Sequence, residues 1–118
     1  MKDPRVLITH ALECVERVER FAADGEAEFL RSELIQGAIL HNLQTMAQSI
    51  MRLPDALKVG RAEVDWRGLL GFRNVLVHDY LGVSVHRVWE IVRRDLPALK
   101  SALEAMRREI NGKDTIGR

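Results

Sequence analysis

The chain of 118 residues has a single cysteine, Cys14, so an internal disulfide is excluded. Aromatic residues are scarce at 5%, and β-branched residues never gather into alternating apolar and polar runs. The usual marks of a sheet are therefore missing. No apolar run approaches the roughly 18 residues of a membrane-spanning helix. The N-terminus reads Met-Lys-Asp-Pro and turns amphipathic at once, so no signal peptide and no membrane association are expected, and the chain reads as cytoplasmic. A dominant charge is also missing. The net value is +1, which excludes a surface basic all over, so any RNA contact must be local. There is no glycine-rich phosphate loop, which sets aside nucleotide hydrolysis of that type. His10, His41, His78 and His86 are scattered, with no His-Glu-x-x-His spacing and no second cysteine beside them. No metal and no cofactor is expected. No Ser-His-Asp arrangement is readable in the order of the chain.

What is present is helix-forming. Leu, Ala, Arg and Glu dominate, and 30% of residues are charged, a globular balance. Asp3 and Pro4 mark a helix start, and Ile8, Ala11, Leu12, Val15, Val18 and Phe21 recur at three- and four-residue steps, predicting a helix over 4–22. Cys14 shares that stripe and reads as a buried free thiol. A second helix is predicted over 27–52, with Leu30, Leu34, Ile35, Ile39, Leu43, Met46, Ile50 and Met51 on its buried side and Pro54 beyond its end. His41, Asn42, Gln44 and Gln48 interrupt that stripe as polar groups at a helix interface. Residues 54–65 are the one long connection, with a short helical turn expected at 55–59. Asp65 caps a third helix opening at Trp66 and closing near Gly82. Ser84 caps a fourth, which Pro97 should kink or split near 93–96, with Asp95 capping the second part. The apolar pattern decays after Ile110. One domain over residues 1–110 and a flexible C-terminal tail over 111–118 are expected. The fold class is all-α, an antiparallel bundle of four to five helices.

One stretch does not read as packing alone: Gly71-Phe72-Arg73-Asn74-Val75-Leu76-Val77-His78-Asp79-Tyr80. Arg73 can clamp a phosphate, and His78 can carry a proton in either direction near neutral pH. Each helical residue advances by about 100°, so Asn74 and His78 share a face while Arg73 and His78 point roughly 140° apart. Three arrangements could bring Arg73 and His78 to one phosphate. The helix could break near His78, the long arginine could reach round, or a second copy could complete the site in a homodimer. An imidazole and a guanidinium together can cleave RNA without a metal, through attack of the 2′-hydroxyl on the adjacent phosphate to leave a 2′,3′-cyclic phosphate. Spacing equally permits a structural role, with both residues capping carbonyls or pairing with Asp79. Basic residues of the fourth helix could flank a cleft, and Arg87, nearest the motif, is the one assigned to RNA binding.

Arg73, four residues, His78, one residue and Tyr80 resemble the Arg-x4-His-x-Tyr signature of HepT-like toxins in the HEPN superfamily. The run Trp66-Arg67-Gly68-Leu69-Leu70-Gly71-Phe72-Arg73-Asn74 resembles the approach to that signature, and Val88-Trp89-Glu90-Ile91-Val92 with Asp95-Leu96-Pro97 resembles its last long helix. Gln44-Thr45-Met46-Ala47-Gln48 departs from the Gly-Glu-Ala often found in the second helix. The resemblance implies a HEPN-like, homodimeric bundle with two motifs facing a shared cleft. It implies metal-independent RNA cleavage by Arg73 and His78, supported by Asn74. It also implies an MntA-like minimal nucleotidyltransferase antitoxin as partner, which adds AMP to Tyr80. A non-catalytic subunit that docks a nucleotidyltransferase or presents its substrate is the competing reading. A helical dimer with neither role is the third.

Overall fold

The computed structural model describes residues 3–78 and 82–116, and side chains as far as residue 112. Helix and turn account for all the regular structure among the described residues, as the composition requires. Helix α1 is Pro4–Phe21. Asp3 caps it, its Oδ1 accepting from the Arg5 N–H at 2.9 Å, and Pro4 sits where a missing N–H costs nothing. The predicted stripe of α1 is buried from Ile8 to Val18, Cys14 included, and Phe21 at its end is partly buried against the same core. Gly25 turns the chain at φ 92°, a left-handed conformation that glycine adopts without strain.

The single second helix expected over 27–52 is two helices. Helix α2 is Glu26–Arg31 and α3 is Glu33–Met51, with Ser32 extended between them at φ −108°, ψ 107°. Serine makes the break stable in two ways. Its Oγ accepts from the Ile35 N–H at 3.1 Å, capping α3. The Gln36 side-chain amide then donates to the carbonyls of Phe29 at 3.0 Å and Leu30 at 3.2 Å, which the break had freed. The bend turns Phe29 inward against Trp89, with ring centroids 5.2 Å apart. It also turns Leu34 outward to 83% exposure, so Leu34 does not belong to the buried set in which its spacing placed it.

Helix α4 is the short turn Asp55–Lys58, and α5 is Trp66–His78, where the Asp65 Oδ1 accepts from the Gly68 N–H at 2.9 Å. Helix α6, Val85–Glu90, runs into a wide π-helical turn, Ile91–Asp95, and then into α7, Leu96–Ile116. Pro97 is the cause of the distortion, since it offers no N–H to the carbonyl four residues back. Asp95 lies inside the wide turn and does not cap a separate helix. The backbone of α7 stays helical to Ile116, past the end of its apolar pattern.

Helix α1 packs against α3 and α7, and α5 lies on the other side of α3. Ile8, Val15, Val18, Ile39, Leu43, Met46, Leu76, Val88, Leu103 and Met106 form the core. Arg61 ties the long connection to Glu109 of α7, and Lys100 ties α7 to Glu19 of α1 at 3.0 Å. The molecule measures 52 × 28 × 24 Å, an elongated shape. Among the described residues no helix is long and apolar enough to cross a membrane.

Candidate active site

Helix α5 carries the motif, and the way it packs decides where each group points. Leu76 is buried, with Leu69 and Phe72 packed against the same core, so the inward face of α5 is fixed. Asn74 and His78 lie on the outward face and are exposed. They are one turn apart and about 40° from each other around the axis. Arg73 starts from the boundary between the two faces and is half-buried.

The α5 helix is unbroken from Arg73 to His78 and ends at His78, so within it the two residues keep the roughly 140° separation that helical spacing gives them. Arg73 turns to its chain neighbour Asn74. Its Nη1 donates to the Asn74 Oδ1 at 3.2 Å, which draws the guanidinium off its own radial direction and toward the side where His78 stands. Its Nε is buried without an acceptor among the described residues, and so is the Trp66 Nε1. A buried cationic donor gains from an acceptor, and Arg73 has one such donor unmatched among the described residues.

Tyr80 and Asp79 lie outside the described residues. Arg87 is exposed on α6, but it lines a cleft of about 230 Å³ together with Gly68, Leu69, Phe72, Ile91 and Arg94. Phe72 is roughly 160° round α5 from Asn74. Arg87 therefore stands on the opposite side of α5 from Asn74 and His78 within one subunit, and proximity in the chain was a poor guide to it. A second hollow, of about 200 Å³, opens between α1 and α3 beside His10, Thr45 and Ser49. There His10 Nδ1 lies 2.6 Å from Ser49 Oγ, and Cys14 Sγ lies 3.3 Å from Thr45 Oγ1, a polar seam that holds α1 to α3. Among the described residues no group of three or more His, Cys, Asp or Glu side chains is placed to hold a metal ion.

The outward face holds more than the motif. Leu70, Val75 and Val77 are 41%, 46% and 43% exposed, and they flank Asn74 and His78 on both sides. Arg67 and Gly71 precede Asn74 and His78 at steps of four, three and four, so all four share one exposed stripe. That period was present in the residues but is hidden when the motif alone is read.

The described residues form a small all-α bundle that carries an arginine and a histidine on one helix, α5. Residues 11–106 match the family described as ribonuclease HepT-like, and the chain belongs to that family. It is 31% identical to a probable ribonuclease HepT of Thermococcus cleftensis over 97 residues, covering 81% of this chain and 88% of that one. It is 28% identical to a protein of Caldanaerobacter subterraneus subsp. tengcongensis named as a candidate RNase, covering 92% of this chain and 99% of the other. A Methanocaldococcus jannaschii protein, named as a gamma-glutamylcyclotransferase and candidate RNase, is 27% identical over 93% of this chain, which spans 50% of that protein's length. No solved structure matches the chain.

Proposed function

We propose that the protein is a metal-independent endoribonuclease and the toxin of a toxin-antitoxin pair. The observation that carries this reading is the Arg73–Asn74 hydrogen bond, which turns a guanidinium with a spare buried donor toward the face of His78. In the proposed reaction the His78 imidazole takes the proton of a ribose 2′-hydroxyl. The 2′-oxygen attacks the adjacent phosphorus, and Arg73 stabilises the extra negative charge on the phosphorane oxygens. The bond to the 5′-oxygen breaks, and that oxygen takes up the proton that His78 accepted, delivered from the imidazolium directly or through water. The products are a 2′,3′-cyclic phosphate and a 5′-hydroxyl. Asn74 keeps Arg73 in place.

Two subunits pair about the outward face of α5, where Leu70, Val75 and Val77 leave apolar surface that a second copy would cover. The partner in the cell is a minimal nucleotidyltransferase of the MntA-like type. It transfers AMP to the Tyr80 phenol, placing a bulky anion within the motif that competes with RNA for Arg73. The likeness to proteins named as ribonucleases supports the cleavage, and the resemblance of the Arg73–Tyr80 motif to HepT-like toxins supports the toxin role.

The test is cleavage of RNA in the presence of a chelator, with the product ends identified. The expected product is a cyclic phosphate, and Arg73→Ala and His78→Ala each lower kcat by at least about 100-fold while the helical circular dichroism is unchanged. RNA that stays intact with unmodified protein would overturn the nuclease reading in favour of a subunit that docks a nucleotidyltransferase.

A further inference from the structure

Helix α5 differs from the other long helices in charge. From Trp66 to His78 it holds Arg67, Arg73 and His78 and no carboxylate, whereas α1, α3 and α7 carry acids among their bases. In a chain of net charge +1 this is a local basic strip. Several other arginines are committed to carboxylates: Arg17 to Glu13, Arg31 to Glu28, Arg61 to Glu109 and Arg94 to Glu90. Arg67 is exposed and has no hydrogen bond or ion pair among the described residues. Glu63, four residues before it, turns instead to the cleft beside Gly68 and Phe72. Asp65 spends its carboxylate on the Gly68 N–H.

Gly71 lies between Arg67 and Asn74 on the same stripe. A glycine inside a helix weakens it, so a reason is wanted. None is found among the described residues, because a Cβ at Gly71 would meet nothing within 4 Å. Gly68, three residues earlier, is the opposite case: its Cβ would meet the Asp65 carboxylate at 2.3 Å. The bare backbone at Gly71 faces outward, where a sugar-phosphate chain can approach closely.

We propose that Arg67 is an RNA-binding residue that holds a backbone phosphate upstream or downstream of the cleaved bond, the single strand running along α5 over Gly71 to His78. The inference rests on His78 marking the cleaved phosphate. Arg67 and His78 are 11 residues apart and so about 16 Å apart along the axis, a reach of a few nucleotides. Single-stranded RNA fits this strip better than a duplex does, since a single strand can lie in the narrow joint that paired subunits leave along the stripe and present successive phosphates to it.

The test has a binding arm and a cleavage arm. In the non-cleaving His78→Ala background, affinity for a short single-stranded RNA is measured over a range of salt. Arg67→Ala is expected to weaken binding about tenfold and to make the slope of log K against log salt shallower by about 0.7, the value of one lost phosphate on a single strand. Gly71→Leu is expected to weaken binding and leave that slope unchanged. In the cleavage arm, with His78 intact, Arg67→Ala lowers kcat/KM for a long RNA and leaves it unchanged for a dinucleotide, which is too short to reach Arg67. An unaltered salt slope, or an equal loss on long RNA and dinucleotide, would overturn the proposal. Absence of cleavage by the parent protein would sink the nuclease reading instead, and the binding arm would still judge Arg67.

Discussion

At the scale of single residues, chemistry was easier to read than direction. Asp65 was legible as a cap because carboxylates are favoured ahead of a helix, and it does cap α5. The turn of Arg73 toward Asn74 was not legible, because helical spacing fixes where Cβ atoms point and says nothing of where a long side chain ends. The place of Arg87, beside Gly68 and Phe72, was not legible for a related reason: nearness in the chain does not say which side of α5 the next helix covers. The two glycines of α5 give a paired prediction. Gly68→Ala puts a methyl onto the Asp65 carboxylate and displaces the cap, so it should cost about 1 kcal/mol. Gly71→Ala meets no atom and should stabilise by up to about 1 kcal/mol. Thermal melts of the two variants are expected to move in opposite directions. Asp3 gives a further prediction at this scale. Its carboxyl is held below the ordinary 3.8, first by the Arg5 side chain and then by the Arg5 N–H. A depressed carboxylate contributes stability that is present above its unfolded value and lost as pH falls through the folded one. Asp3→Asn should therefore flatten the part of the acid-side stability curve that lies at and below pH 3.8, and leave the neutral range almost unchanged in slope.

At the scale of elements, period predicts a helix well and its interruptions badly. The bounds of α1 follow from cap, proline and stripe together, and the structure ends that helix within one residue of the reading. The stretch over 27–52 looked continuous because its apolar residues keep helical steps straight through Ser32. What decides the break is tertiary: Phe29 has to face Trp89, and Ser32 and Gln36 supply the hydrogen bonds that a bent chain requires. Pro97 was legible as a disturbance, but its form as a π-helical turn was not, because the widening is shared with the packing of Ile91 and Leu96. The bend at Ser32 is open to test. Ser32→Ala removes the α3 cap and should cost about 1 kcal/mol, read as a lower midpoint in urea. Gln36→Ala should cost a similar amount by removing the donor of the Leu30 carbonyl and leaving the Phe29 carbonyl only its 3.4 Å bond from the Ser32 N–H. If the break were incidental, Ser32→Ala would leave the midpoint where it was or raise it.

At the scale of the whole molecule, the near-neutral charge and the basic strip on α5 are compatible because the strip is only one helix face. That face also shows three large apolar residues, Leu70, Val75 and Val77, each more than two-fifths exposed, in a chain whose other long helices bury most of theirs. Leu70 and Val77 are seven residues apart and stand on the same side of the stripe that holds Asn74 and His78. A second copy seated there would cover apolar surface and leave the polar stripe lining the joint between subunits, with each His78 near the seam. Val77→Glu places a charge on this surface without entering the core, so the monomer fold should survive it. The expected result is a dimer for the parent in sedimentation and a monomer for Val77→Glu, with unchanged helical circular dichroism and cleavage reduced by about tenfold or more, although Arg73 and His78 are untouched. A monomeric Val77→Glu protein that cleaves RNA as fast as the parent would show that the bend of Arg73 toward Asn74 is enough by itself, and that one subunit holds a complete site.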